Sequence, residues 1–232
     1  MNFRIPLLLV LLLSGLAAAA TPDEMVPKNA QTLRLHEKAE KLYRDGHWER
    51  AYFIYVNELA AIGDKYAPYM AGYMNLAGKG VPQDPVKASA WYRLAAERGS
   101  PEFEGVRDQL LGAMNNVTRQ ASDAAYLALR QKYSDLVLLL GYLREEREFL
   151  KSGAAGSRLS GDLSSVMVVD PSTGLKATPG EYARRIESRM QSRLDFITDK
   201  LGIDDVDPDM SDEEFEALAA QVDQYLRDVH DR

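Results

Sequence analysis

The chain of 232 residues contains no cysteine, which excludes several classes of protein. A disulfide framework, a thiol nucleophile, a cysteine-ligated zinc site and a lipid-modified N-terminal cysteine are all ruled out. Histidine is scarce: none of His36, His47 and His230 has a second histidine four residues away, and none lies in an HExxH motif. The GxSxG motif of serine hydrolases and the P-loop of nucleotide-binding proteins are missing too. The sequence therefore predicts no catalytic residues, no metal and no cofactor.

An excess of basic residues is also lacking, since the formal net charge is -7. Nucleic acids and anionic membranes bind basic surfaces, so we expect no nucleic-acid partner. The longest apolar stretches, Ile5 to Leu16 and Leu136 to Leu143, are shorter than the roughly 20 residues that a membrane-spanning helix needs. We expect no stable membrane span, and with 46% apolar residues the chain can build a sizeable core.

Residues 1–20, "MNFRIPLLLVLLLSGLAAAA", have the pattern of a cleavable signal peptide. Arg4 precedes the apolar stretch, and Ala18 and Ala20 occupy the A-x-A positions of a cleavage site. We expect cleavage before Thr21, export to the bacterial periplasm and a flexible tail over residues 21–31. A membrane anchor is the alternative, which the short apolar stretch disfavours.

Residues 32–115 show helix and turn signals with internal similarity. Ala51 and Tyr55 recur 37 residues later as Ala88 and Tyr92, whereas the helix-ending glycine at Gly63 recurs after 36 residues. A period in this range predicts a solenoid of helical hairpins, with a one-residue insertion in one unit.

The segment "APYMAGYMNLAGKGVPQDPVKASAWYRLAAERG" resembles a Sel1-like (Sel-one-like) repeat, a relative of the tetratricopeptide repeat. The matching positions are Ala67, Gly72, Gly78, Gly80, Val81, Asp84, Lys87, Ala88, Trp91, Tyr92, Ala95, Ala96 and Gly99. It departs at Ala71, where the family usually has leucine, and at Asn75, where it usually has tyrosine. The preceding unit, around Ala39 to Gly63, resembles the family more weakly. The resemblance implies an α/α solenoid that binds protein partners.

The rest of the chain predicts further helices, so the predicted fold class is all-α. Residues 116–152 contain two helices with Thr118 and Ser134 as N-caps, and residues 153–177 form a Gly/Ser-rich loop with one β-prone run at Val166 to Val169. Residues 178–232 form a C-terminal helical pair, which opens with a capping box between Thr178 and Glu181.

One acidic segment, "DDVDPDMSDEEFE", resembles a calcium-binding loop. Met210 stands where such a loop needs glycine for its sharp turn, and Pro208 stiffens the ligand arc. The start of a helix at Ser211, with acidic residues at the positive end of the helix dipole, explains the same residues and is the preferred interpretation.

Two groups of residues are candidates for partner binding. Aromatic side chains on the inner surface of a solenoid anchor binding partners. The first candidates of this kind are Tyr69 and Tyr73, and Tyr52 is a further one. Three arginines spaced four residues apart predict a basic ridge on the first C-terminal helix. They are Arg185, Arg189 and Arg193. This ridge is interpreted as a solvated face paired with the acidic residues 204–209, or as a docking site for an acidic partner.

The resemblance and the absence of catalytic motifs predict a non-enzymatic periplasmic scaffold with a protein partner. Three alternatives stay open. The first is a homo-oligomer that associates through the apolar stripe of the last helix, from Phe215 to Val229. The second is an enzyme whose site combines distant residues such as Asp162, Asp170 and the three arginines. The third is a docking protein in which Val166 to Val169 adds a strand to the sheet of a partner.

Overall fold

The computed structural model describes residues 30–152, 167–170 and 173–228. The helices are α1 (Ala30–Arg44), α2 (Trp48–Phe53), α3 (Tyr66–Ala77), α4 (Pro85–Ala96), α5 (Pro101–Gly112), α6 (Asn116–Tyr133), α7 (Asp135–Lys151), α8 (Pro179–Leu201) and α9 (Asp212–Asp228). An antiparallel pair of two-residue strands, β1 (Val168–Val169) and β2 (Lys176–Ala177), precedes α8. We call this pair and the residues between its strands the β-ribbon. The all-α prediction is therefore confirmed. The predicted signal peptide, Asp162 and Val229 lie outside the described residues.

The helical hairpin of α3 and α4 is built from the turn and capping residues of the repeat pattern. Gly78 and Gly80 take left-handed backbone conformations, with φ of 65° and 76°, which residues with a Cβ atom adopt only with strain. Asp84 caps α4 by accepting a 3.0 Å hydrogen bond from the backbone nitrogen of Lys87, and Pro85 occupies the first helical position. These features place the two helices side by side.

A π-helix over Ile54–Leu59 continues α2, and a 3₁₀ turn over Ala60–Ile62 follows it. The sequence predicts one regular helix from Trp48 to Ile62 and a one-residue insertion in one of the two units. A π-helix closes hydrogen bonds to the fifth residue instead of the fourth, so a single π turn within a helix accommodates one extra residue. The π-helix is therefore where the insertion is absorbed, and the helix still ends at Gly63, with φ of 78°.

The helices of the N-terminal half share one hydrophobic core. Small side chains let α3 approach its neighbours closely, and aromatic side chains fill the remaining space. The core residues are Ala39, Ala51, Ile54, Tyr55, Leu59, Ala60, Ala67, Met70, Ala71, Met74, Trp91, Leu94 and Tyr133. Ala71 and Asn75, the two departures from the repeat pattern, are both buried.

A second core lies between α7, α8 and α9. Its residues are Leu136, Leu139, Leu140, Leu143, Ala177, Tyr182, Ile186, Met190, Leu194, Ile197, Met210, Phe215, Leu218, Val222 and Leu226. The apolar stripe of α9 is thus covered by the chain itself: Phe215, Leu218 and Val222 are each at most 3% exposed. These three residues are therefore not available for a seam between two copies while they pack in this core, and self-association of the chain stays a prediction.

The starts of α7 and α8 follow the predicted capping chemistry, and the start of α6 differs. Ser134 caps α7, and Thr178 and Glu181 form the predicted capping box at α8. The N-cap of α6 is Asn115, not Thr118, because the Asn115 side chain accepts a 2.9 Å hydrogen bond from the backbone nitrogen of Thr118.

Polar pairs join α4 to α6 along one face of each helix. The pairs are Ser89 with Ser122, Arg93 with Asp123, and Glu97 with Tyr126 and Arg130. Ser89, Arg93 and the C-cap residue Glu97 are spaced four residues apart, so they lie on one side of α4. This ladder fixes the second helix of the hairpin against the rest of the chain.

The two cores are connected at the end of this ladder. Arg98 donates from Nε to both carboxylate oxygens of Asp135, at 3.1 and 3.0 Å, and from Nη2 to the Gly63 carbonyl at 2.8 Å. Tyr142 donates a 3.1 Å hydrogen bond to the carbonyl of Ile62. The N-terminus of α7 is therefore attached to the end of the helical segment that begins at α2.

Candidate partner-binding surface

Three tyrosines form one face of α3, which we call the α3 tyrosine face. Tyr66, Tyr69 and Tyr73 are spaced by three and four residues, so they share one side of the helix. The opposite side carries the buried alanines and methionines of the first core. Tyr66 is 39% exposed and Tyr73 is 36% exposed. The helix is thus packed on one side and presents aromatic rings to solvent on the other.

The middle tyrosine of this face is also a packing residue. Tyr69 stacks on Tyr66 with ring centroids 5.6 Å apart, and on Phe103 of α5 at 4.8 Å. Its ring meets that of Tyr92 edge to face at 5.4 Å. The face therefore continues from α3 onto α5, and Tyr69 connects three helices.

At the other end of the face, aromatic rings surround a lysine. The ammonium of Lys79 lies 4.9 Å from the ring centroid of Tyr43, 5.3 Å from that of Trp48 and 5.7 Å from that of Tyr73. We call these four residues the Lys79 cluster. Lys79 donates a 2.7 Å hydrogen bond to the Tyr43 hydroxyl, and this bond raises the pKa of Lys79. The cluster thus holds a positive charge beside exposed aromatic rings.

Tyr52, the third tyrosine candidate, has a structural partner. Its hydroxyl accepts a 3.0 Å hydrogen bond from the amide nitrogen of Asn75, which also donates to the Ala71 carbonyl at 2.8 Å. Asn75 is only 2% exposed. Asn75 replaces the tyrosine usual at this position of the repeat, and the hydroxyl of Tyr52 satisfies the buried amide.

The predicted arginine ridge is not a solvated face. Arg193 is 2% exposed and pairs through Nη1 with Glu146 of α7. Arg189 donates to Glu146 at 3.0 Å and to the fully buried Asp170 at 2.8 Å. The expected pairing with residues 204–209 is wrong because these arginines face α7 and the β-ribbon, where desolvated carboxylates need positive partners.

A docking role for the arginines stays a prediction, and Arg193 would have to leave its buried position to serve it. Arg185 is partly buried, and its Nη1 has no hydrogen-bond partner among the described residues. The enzyme hypothesis grouped Asp170 with the arginines. The structure does bring Asp170 and Arg189 together, but as part of an ion-pair network that also contains Arg193. Glu146 lies at the centre of that network, pairing with both Arg189 and Arg193. The sequence predicts the helix α7, but no motif in it distinguishes Glu146 from the other acidic residues of that helix.

The acidic segment before α9 serves as a helix start. Ser211 and Glu214 cap each other reciprocally, with Glu214 accepting from the Ser211 nitrogen at 2.7 Å and Ser211 accepting from the Glu214 nitrogen at 3.2 Å. Within residues 30–152, 167–170 and 173–228, no three histidine or acidic side chains converge as metal ligands. In the same ranges no helix combines the length and apolarity needed to cross a membrane.

Comparison with known families matches residues 66–100 to the Sel1 repeat. Comparison with curated proteins and with solved structures gives no significant match. Sel1 repeats are generally protein–protein interaction modules and are generally non-catalytic. The hairpin of α3, its glycine-containing turn and α4 is therefore a Sel1 repeat.

Proposed function

We propose that the protein is a non-enzymatic scaffold of the bacterial periplasm that binds a protein partner along the α3 tyrosine face. The observation that carries this proposal is the exposed aromatic side of the first helix in a Sel1 repeat. Tyrosine rings supply large contact areas at little cost in side-chain entropy, and they are enriched at protein interfaces.

The surroundings of the face favour a partner segment with apolar and acidic side chains. Tyr66 and Tyr73 offer rings for apolar contacts, and Lys79 supplies a positive charge. Packing within the chain holds the face in place, because Tyr69 stacks on Phe103 of α5. A preorganised surface loses less free energy to ordering when a partner binds.

The periplasmic location rests on the N-terminal sequence. Arg4, the apolar stretch and the A-x-A site over Ala18 and Ala20 match a secretory signal peptide. A protein without cysteine needs no disulfide chemistry after export. The expected mature protein starts at Thr21, and mass spectrometry of the protein from the periplasmic fraction tests this.

The binding surface is tested by affinity capture from an envelope extract, with residues 21–232 as bait. One bait carries Tyr66→Ala and Tyr73→Ala together, since both rings are exposed; Tyr69 is kept because it packs against two other helices. A matched control carries Leu175→Ala, which removes a side chain that is 58% exposed beside β2. Circular dichroism and thermal unfolding establish that each bait is folded.

We expect a protein that the native and Leu175→Ala baits capture and the double variant loses. Equal capture by all three baits would reject the tyrosine face as the binding surface. If none of the baits captures a protein, the scaffold function itself is contradicted, and sedimentation of the pure protein then tests self-association.

A further inference from the structure

A cleft of about 450 Å³ lies where the end of α4 meets α6, α8 and α9. Its walls include Arg130 of α6, Phe196 and Lys200 of α8, and Tyr225 of α9. Its volume is in the range of sites for small organic molecules, roughly 300–1,000 Å³. The cleft is separate from the α3 tyrosine face, and the proposed scaffold function makes no use of it.

Arg130, which lines this cleft, is a buried cation with one unsatisfied donor. The residue is 7% exposed, and its Nε donates a 2.9 Å hydrogen bond to Glu97. Its Nη1 is buried and has no hydrogen-bond partner among the described residues. Buried guanidinium nitrogens are normally satisfied, because an unmet donor costs free energy. Because Arg130 lines the cleft, an anionic ligand bound there lies beside a guanidinium whose donors the described residues do not fully satisfy.

Aromatic rings hold the guanidinium in position. The Cζ atom of Arg130 lies 5.8 Å from the ring centroid of Tyr126 and 5.7 Å from that of Tyr225. A second cation, Lys200, has its ammonium 5.6 Å from the ring centroid of Phe196 and makes no ion pair within the described ranges. The cleft therefore combines two cationic groups with aromatic walls.

The charges that line the cleft leave one positive charge uncompensated. Arg98 pairs with Asp135, and Arg130 pairs with Glu97. Lys200 is the remaining charged group of the lining. A ligand with one negative charge matches this excess, whereas a phosphate dianion exceeds it. The fork of a guanidinium also suits the two oxygens of a carboxylate.

We propose that this cleft binds a small organic carboxylate with an aromatic or apolar body. The carboxylate accepts hydrogen bonds from Arg130 and Lys200, and the body of the ligand packs against Tyr225 and Phe196. The site lies between the Sel1 repeat and the C-terminal helices, so a ligand in it contacts both parts of the chain.

The test is isothermal titration calorimetry of residues 21–232 with N-acetylphenylalanine. N-acetylphenylalanine amide, which has the same body without the charge, is the matched control ligand, and inorganic phosphate is a third probe. The first variant is Lys200→Met, because Lys200 is exposed and its loss spares the core. Lys176→Met, at another exposed lysine, is the control variant.

Two further variants address the buried arginine. Arg130→Met removes the donor and Glu97→Gln breaks the ion pair with Arg130, so circular dichroism and thermal unfolding check that both variants fold. Glu97→Gln keeps an oxygen for the Nε of Arg130 but removes a competing negative charge. It should tighten carboxylate binding, which a purely structural role for Arg130 and Glu97 does not predict.

We expect N-acetylphenylalanine to bind and the amide to bind at least roughly tenfold more weakly, as for the loss of a charged hydrogen bond. Lys200→Met should lower the affinity by a similar factor, and Lys176→Met should leave it unchanged. Equal affinities for acid and amide, no binding of the acid at millimolar concentration, or tighter binding of phosphate would each overturn the proposal.

Discussion

Gly80 lies directly against the backbone of Trp48. A Cβ atom at Gly80 would stand 2.5 Å from the Trp48 carbonyl carbon and 2.6 Å from the Glu49 nitrogen. The turn of the Sel1 repeat is thus in close contact with the first turn of α2, and the neighbouring Lys79 lies over the Trp48 ring. Glycine is required here by two independent constraints, the left-handed backbone and the close approach.

Gly80→Ala should lower the free energy of unfolding by about 2–5 kcal/mol. The left-handed conformation costs an alanine roughly 1–2 kcal/mol, and the contact with the Trp48 backbone adds the cost of overpacking. Gly99→Ala is the control, because its φ is 73° but a Cβ atom there would meet nothing within 4 Å. Urea unfolding measures both, and equal losses would show that the contact with Trp48 contributes nothing.

The Sel1 repeat was predictable because its signals are local. Asp84, Pro85 and the glycines act within a few residues of their own positions, so the sequence alone shows them. The one-residue difference between the two repeat spacings also indicated an insertion. It did not indicate a π-helix at Ile54–Leu59, because that outcome depends on which residues the neighbouring helices bury.

The arginines and the Lys79 cluster depend on distant contacts, and the sequence does not reveal them. A four-residue spacing places Arg189 and Arg193 on one face of α8, but it does not say what that face meets. The structure brings Glu146 of α7 and Asp170 of the β-ribbon against it. In the same way, the ring of Tyr73 and the ammonium of Lys79 were not predicted to meet.

A histidine pair makes part of the stability depend on pH. His36 of α1 and Asp64 approach to 2.5 Å, and this hydrogen bond raises the pKa of His36. The stabilisation is fully present below the unfolded pKa of roughly 6.5, and it is lost as the pH rises through the higher folded pKa. Because the pair is partly exposed, we expect less than about 1 kcal/mol.

Urea unfolding from mildly acidic to mildly alkaline pH tests this expectation for native protein and His36→Gln. The difference in stability between them should shrink as the pH rises above roughly 6.5. A difference that stays constant over this range would mean that protonated His36 does not stabilise the fold.

The hydrogen bond from Asn75 to Tyr52 should contribute measurably to stability. Tyr52→Phe removes the acceptor and leaves one amide hydrogen of a buried side chain without a partner, so we expect a loss of about 1–2 kcal/mol. Tyr66→Phe, at an exposed ring, should change stability by less than about 0.5 kcal/mol. Denaturant unfolding compares the two, and similar values would exclude a special role for the Tyr52 hydroxyl.

Glu146 should be among the most sensitive positions of the C-terminal helices. Its carboxylate is 14% exposed and pairs with Arg189 and with the buried Arg193. Glu146→Gln keeps the shape but removes the negative charge, so the ion pair between Glu146 and the buried Arg193 is broken. Breaking a buried pair in this way costs about 3 kcal/mol. The same change at Glu216, whose pair with Arg144 is exposed on both sides, should cost less than about 0.5 kcal/mol.

Thermal and urea unfolding of Glu146→Gln and Glu216→Gln compare the two losses in the free energy of unfolding. If Glu216→Gln is as damaging as Glu146→Gln, burial does not set the value of these ion pairs. If both are neutral, the network does not hold the β-ribbon and α8 against α7.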